Sequence, residues 1–326
     1  MEKLTDFINF NNNDSLCKMP KNDLIYLLLL LNNYYLEYRD NLGLLEESTF
    51  GIEIEAEYTR GTFYNQIKEF LEKGWIQKND DSLDDGDEYT SPILTDSIES
   101  WQDIKKICGI LDKHYEIKDS CGGHIHIGTN ILENKSENWF HFFKLWEAYE
   151  NIIFRFSCGE FLNHRQDIIK YAKPIANKLH NKFKLNEFKK NSSIDDVIEY
   201  FELKKQEALT FKNIKKEYAN TIEIRCPNGT LEPIIWQNNI NFFTKFILFC
   251  KSNQYDEDFI QKRLGKNNSN QIKSYSYINL NQAMELADMI FYNNLDKIYF
   301  LRQYLKSFEI NNNEINLEKA KLFIKK

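Results

Sequence analysis

Little in this 326-residue chain punctuates or cross-links it: five prolines, twelve glycines and six cysteines. The cysteines, Cys17, Cys108, Cys121, Cys158, Cys226 and Cys250, are scattered and include no Cys-x-x-Cys pair, so neither a zinc knuckle nor a dithiol redox motif is indicated. They read as free thiols of a reducing compartment. Positive charge is also in deficit: 42 Lys and Arg against 49 Asp and Glu leave a formal charge of -7. That balance argues against a general binder of nucleic acid or anionic membranes, which needs an electropositive face. The longest apolar run, Leu24 to Leu31, is far too short to span a bilayer, and the N-terminus lacks the pattern of a signal peptide. A cytoplasmic protein is expected, with no nucleic-acid or membrane partner. A Gly-x-Gly-x-x-Gly turn and a P-loop lysine are both missing, which excludes the commonest phosphate-cradling helices.

Apolar and aromatic residues are plentiful, at 42% and 14%, ample for a large core. Residues 20–40 read as a buried helix capped near Asn22-Asp23. From residue 50 the pattern alternates: a strand at 50–58, an amphipathic helix near 63–73, a strand at Trp75-Ile76-Gln77, an acidic turn from Asn79 to Asp87, and a strand from Glu88 to Leu94. A helix from Ser97 to His114, a strand from Cys121 to Thr129 and an aromatic helix from Ser136 to Cys158 follow. The stripe Trp139, Phe142, Phe143, Trp146, Tyr149, Ile153 and Phe156 marks that helix's core face. Lys182 to Lys205 reads as a peripheral helical insertion. A strand is expected from Phe211, culminating in Thr221–Arg225, then a turn at Pro227-Asn228-Gly229-Thr230 with Gly229 suited to positive φ. Pro233 starts a helix, and helical stretches follow near 281–294 and 297–308.

Three short stretches carry the chemistry: Gly51-Ile52-Glu53-Ile54-Glu55, Gly123-His124-Ile125-His126-Ile127-Gly128 and Thr221-Ile222-Glu223-Ile224-Arg225. On a strand, alternate side chains point to opposite faces, so each stretch sends isoleucine one way and Glu, His or Arg the other. If the strands share a sheet, one face collects carboxylates, imidazoles and a guanidinium, a surface suited to divalent cations and a phosphorylated ligand. Each stretch alone has a plainer reading. Glu53, Glu55 and Glu57 suit an edge strand with one wet face, His124 and His126 a pair of hydrogen-bonded core histidines, and Glu223 with Arg225 a surface salt bridge. The glycines around the histidines permit close backbone approach by a ligand, or a sharp bend. Two same-face histidines also suit zinc.

Taken in order, the motifs resemble the amidoligase family of the glutamine synthetase and glutamate–cysteine ligase superfamily. The matching residues are Gly51–Glu55, Asp80-Asp81-Ser82-Leu83 with Glu88-Tyr89-Thr90-Ser91-Pro92, Cys121–Gly128, and Thr221–Arg225 with Gly229-Thr230-Leu231-Glu232. Asp81 departs from the glycine common at its position. The resemblance implies an α+β fold with a curved antiparallel sheet and helices on its convex face. It also implies an ATP-dependent carboxylate–amine ligase, using Mg²⁺ or Mn²⁺ to pass through an acyl phosphate to an amide or isopeptide bond. Its substrates would be an amine and a carboxylate, each a small molecule, a peptide or a protein side chain. Glu55 and Glu88 would hold one metal, Glu53, His124 and Glu223 another, and His126 and Arg225 would lie against ATP phosphates. Asp80 and Arg165 would contact substrate, although a solvated acidic loop and a surface basic cluster with Lys170 and Lys173 fit those two equally. The implied division is an N-terminal helical extension (1–45), a catalytic domain (46–253) with a helical insertion near 182–208, and a C-terminal helical region (254–326). A phosphotransferase of the guanidino-kinase type, a zinc hydrolase built on His124 and His126, and a catalytically idle binding module are the alternatives.

Overall fold

A computed structural model describes residues 36–58, 64–80, 83–133, 135–158, 168–185, 193–214, 220–266, 277–304, 309–311 and 314–316. The expected helix at 20–40 therefore falls largely outside the described residues, as do Cys17, Asp81, Ser82 and Arg165. Strand β1 (Thr49–Tyr58) leads, followed by helix α1 (Tyr64–Glu72), β2 (Ile76–Asn79), β3 (Gly86–Thr90), β4 (Leu94–Thr95), α2 (Ile98–Leu111), β5 (Tyr115–Glu116) and β6 (Gly123–Gly128). Next come α3 (Ser136–Cys158), α4 (Ile168–Tyr171), α5 (Ala176–Leu185), α6 (Ile194–Phe201), β7 (Leu209–Thr210), β8 (Thr221–Ile224) and α7 (Pro233–Phe249). The chain continues through α8 (Glu257–Gln261), α9 (Tyr277–Ile290) and α10 (Asn294–Tyr304), then a small hairpin, β9 (Glu309–Asn311) and β10 (Glu314–Asn316).

The result is an α+β arrangement around an open antiparallel sheet ordered β2-β3-β1-β6-β8-β7, with β4 and β5 pairing the two ends of β1. The three Ile-alternating stretches are β1, β6 and β8, adjacent at its centre. Ile52, Ile54, Ile125, Ile127, Ile222 and Ile224 are all fully buried and share one core with α2, α3 and α7. Phe50 stacks on Trp101 of α2 at 5.0 Å between centroids. Each such isoleucine removes enough apolar surface from water to contribute about 1.5–3 kcal/mol. Leu280, Ala283 and Leu286 of α9 and Ile298, Phe300 and Leu301 of α10 join the same core.

Caps behave as their sequence signals require: the Ser97 side chain accepts from Ser100 N at the start of α2, and Pro233 occupies the first turn of α7. Several local expectations change. The strand expected from Glu88 to Leu94 ends at Thr90 and resumes as the separate β4, while β2 runs on through Lys78 and Asn79. The strand expected at Phe211 is β7, which ends one residue earlier. Helix α3 is interrupted at Tyr149 (φ -129°, ψ 15°). Gly229 does not have a positive φ; its smallness serves close packing, because a Cβ there would come within 3.0 Å of Cys121. Likewise the approach that Gly123 permits is by the chain itself: a Cβ would lie 2.7 Å from the Asn228 carbonyl oxygen and from Trp236. Cys108, Cys121, Cys158, Cys226 and Cys250 are free and buried. No helix among the described residues is long and apolar enough to cross a membrane.

Candidate active site

Antiparallel pairing sets residues directly opposite one another on the same face. Glu53 stands opposite Thr90 on one side and His124 on the other, Glu55 opposite Glu88, and His126 opposite Glu223. Four strands therefore deliver Glu53, Glu55, Glu88, His124, His126 and Glu223 to one face of the sheet. The wet edge anticipated for Glu53 and Glu55 is not what forms. Glu53 is 9% exposed, Glu55 4% and Glu223 0%, so these are buried ionisable groups in the middle of a sheet.

Hydrogen bonds tie them together. His124 Nδ1 lies 2.7 Å from Glu53 Oε2, and His126 Nε2 lies 2.9 Å from Glu53 Oε1. His126 Nδ1 is 3.2 Å from Thr221 Oγ1 and 3.5 Å from Asn213 Nδ2. Glu55 accepts from the Gly122 backbone N–H, and its Oε1 is 3.5 Å from His124 Nε2. Glu57, next in the row, is fully buried, accepts from Ser120 and faces Lys118 Nζ at 2.8 Å. Arg225 donates through Nη1 to Glu223 Oε1.

Burial resists ionisation of Glu53, yet the bonds from His124 and His126 and their charge outweigh it and hold the carboxyl well below the usual range. Burial alone would lower His124, but the Glu53 bond and the Glu55 charge raise it above its ordinary value. Glu223 is also held low: burial opposes this, while the positive charge of His124 and Arg225 drives it.

Two groups of metal-capable donors result. Glu53, His124 and Glu223 each bring one donor atom within 4.8 Å of the other two, and so do Glu55, Asp80 and Glu88. Donors sharing one ion at about 2.0–2.6 Å can lie no further apart than about 4–5 Å, so both groups are within reach of a single ion. Two observations fit such occupancy. Glu55 and Glu88 are carboxylates directly opposite across a ladder, an arrangement that repels without a cation between them. Glu223 Oε2 and Arg225 Nε are buried atoms without a hydrogen bond, which folded proteins rarely leave. Oxygen donors dominate both sets, which suits a hard cation such as Mg²⁺ or Mn²⁺ over zinc. His126 falls outside both triads.

Asp80, expected at a substrate or in a solvated loop, has a carboxylate oxygen within 4.8 Å of those of Glu55 and Glu88. Of the basic residues expected with Arg165, Lys170 lies over the Tyr171 ring at 4.9 Å, and the Lys173 backbone bonds to Gln206 and Ala208. Asn228 is a turn residue, donating to the Cys158 carbonyl at 2.6 Å. Four residues to which the sequence assigned no role stand beside the acids and histidines. Lys78 Nζ is 3.3 Å from Glu88 Oε1, Thr90 Oγ1 is 2.8 Å from the same oxygen, Lys212 Nζ is 3.4 Å from Glu223 Oε2, and Thr221 holds His126. Extending β2 by one residue would have put Lys78 opposite Glu88; nothing local marks Lys212.

A model of the family described as "Putative amidoligase enzyme" matches residues 77–247, more than half of the chain. The chain belongs to this family. The match takes in Asp80, Glu88, His124, His126, Glu223 and Arg225, and the sheet joins to them Glu53 and Glu55 of β1, which precede it. Membership of this family implies a ligase enzyme. No curated protein matches the chain.

Proposed function

We propose that this amidoligase family member is an ATP-dependent carboxylate–amine ligase that forms an amide or isopeptide bond through an acyl phosphate, on the glutamine synthetase-like plan its motifs resemble. The observation that carries the reading is the pair of donor triads on one sheet face, Glu53–His124–Glu223 and Glu55–Asp80–Glu88. Transfer of a phosphoryl group to a carboxylate brings anions together, and cations must neutralise the oxygens that carry the charge. Bound at the two triads, Mg²⁺ or Mn²⁺ would supply that neutralisation.

The protein's own contribution is position and field. Glu53 is fixed from both sides by His124 and His126, so its carboxylate is presented in one orientation. With Nε2 on Glu53 and Nδ1 near Thr221, His126 orients Glu53 rather than standing free for a phosphate. Arg225 is braced on Glu223 and keeps its Nε without a partner, leaving donor capacity for an anionic oxygen. Burial of Glu53, Glu55 and Glu223 keeps bulk water from these carboxylates, which would slow hydrolysis of an acyl phosphate beside them.

The test mixes purified protein, ATP, Mg²⁺ and pools of amino acids or peptides, and follows phosphate release together with product mass. Phosphate release with a product lighter by one water than its two parents is the expected result. A stable phosphorylated product would make the protein a phosphotransferase, and bound zinc without nucleotide affinity would make it a hydrolase.

A further inference from the structure

Each donor triad has one half-exposed lysine resting on it. Lys212 Nζ lies 3.4 Å from Glu223 Oε2, and Lys78 Nζ lies 3.3 Å from Glu88 Oε1, with side chains 42% and 51% exposed. The sheet puts both there: Lys78 is opposite Glu88 in the β2–β3 ladder, and Lys212 lies two residues beyond Thr210, the residue opposite Glu223. The Lys212 N–H donates to Thr210 Oγ1 at 3.3 Å, so the backbone is held while the long stem remains in solvent. The contacts are loose. Lys212 makes no hydrogen bond to Glu223 Oε2, Lys78 makes a long one of 3.3 Å to Glu88 Oε1, and pairs whose ammonium end is this exposed shift an equilibrium only by about two- to fivefold. A divalent cation at the same oxygens has twice the charge and a closer approach, so it displaces an ammonium readily.

We propose that Lys78 and Lys212 are exchangeable counter-ions: they neutralise Glu88 and Glu223 in the metal-free protein, and metal binding releases them onto the phosphate oxygens of the nucleotide. The exchange rests on the ligase reading above. Its logic is linkage: a contact made only in the metal-free state weakens metal binding, and a contact made only after release strengthens nucleotide binding. Deleting either lysine therefore moves the two affinities in opposite directions, which a merely structural lysine does not do. Lys118 is the built-in comparator. Its side chain is 47% exposed and lies 2.8 Å from Glu57, a carboxylate of the same row that belongs to neither triad.

The experiment titrates the full-length chain with Mn²⁺ alone, reading free Mn²⁺ by electron paramagnetic resonance. It then titrates a non-hydrolysable ATP analogue at saturating Mn²⁺ by calorimetry. Lys78→Met and Lys212→Met should each bind Mn²⁺ about two- to fivefold tighter than the wild type, the strength of the lost ion pair. Each should bind the analogue about tenfold weaker, as expected for loss of a charged contact to phosphate. Lys118→Met should stay within about twofold of the wild type in both titrations, since only a screened, distant charge is lost. Mn²⁺ affinities of the two variants no tighter than that of Lys118→Met overturn the exchange and leave the ligase reading standing. A wild type that binds neither Mn²⁺ nor the analogue overturns both.

Discussion

Asp296 and Glu223 are both fully buried carboxylates facing one arginine and one lysine, and they are finished in opposite ways. Asp296 accepts four hydrogen bonds: from Arg39 at 2.7 Å and Asn241 at 2.8 Å on one oxygen, and from Lys245 at 2.6 Å and Asn293 at 2.7 Å on the other. Its two cations are themselves mostly buried, and the Arg39 guanidinium also lies over the Tyr299 ring at 4.6 Å. Glu223 takes the Arg225 bond on one oxygen and leaves the other without one, under a lysine that is 42% exposed. A buried carboxylate completed at every lone pair fastens elements together; here it joins the segment around Arg39 to α7 and α10. A buried carboxylate left incomplete is poised for something that arrives later.

The strongest way to break this comparison is to truncate the completed member. Asp296→Ala leaves Arg39 and Lys245 buried without a counter-charge and should cost about 3–5 kcal/mol of folding stability, measured by chemical denaturation. A cost under 1 kcal/mol would mean the network fastens nothing. The same residue sets a sign for pH. Burial opposes ionisation of Asp296, but Lys245 and Arg39 hold its carboxyl below the usual range. Its contribution is thus present above the ordinary carboxylate value of about 4 and is lost as pH falls through the lower folded value. Asp296→Asn should flatten the loss of stability between neutral pH and about pH 3, and an unchanged slope would contradict it.

Glu223→Gln should show the converse pattern. Turnover of ATP should fall by about a hundred- to a thousandfold, as for loss of one preorganised charge contact, while stability stays within about 1 kcal/mol of the wild type. A variant that unfolds as readily as Asp296→Ala would place Glu223 with the fasteners. Next in size, Mn²⁺ at about a hundred times its dissociation constant should stabilise the wild type by about 2.7 kcal/mol. That gain should shrink in Glu55→Gln, and thermal denaturation with and without metal reads it directly. The smallest effect belongs to Asp80→Asn. Its triad is half open, with Asp80 and Glu88 only partly buried, so Mn²⁺ affinity should weaken by about tenfold or less. A loss equal to that of Glu55→Gln would show that the two ends of the triad hold the ion equally.

Much of the site was legible because a strand's period of two is so strict. Ile52-Glu53-Ile54-Glu55 admits only one sorting of side chains once the isoleucines are buried, and the same holds for His124–His126 and Glu223–Arg225. The amidoligase resemblance rests on these residues, and the family match agrees with it. What was misjudged depended on neighbours distant in sequence. The plainer reading of the Glu face as a wet edge fails, because the neighbouring strands bury it. Gly123 was expected to admit a ligand or a sharp bend and Gly229 to take a positive φ, and both make room for Asn228, Trp236 and Cys121. Lys212 carried no motif because its significance comes from Glu223, on the next strand.

By itself the sequence determined which residues lie on one face of each strand, since alternation is a local property of the extended backbone. Only the tertiary structure decided which strands are neighbours and in what register. That pairing sets Glu55 against Glu88, Glu53 against His124 and His126 against Glu223. Two carboxylates facing across a ladder, or one buried oxygen left without a hydrogen bond, exist only after such long-range pairing. The physical reason is range: side-chain direction is set by adjacent peptide units, whereas the shared field of six ionisable groups is set by strands that meet from across the chain.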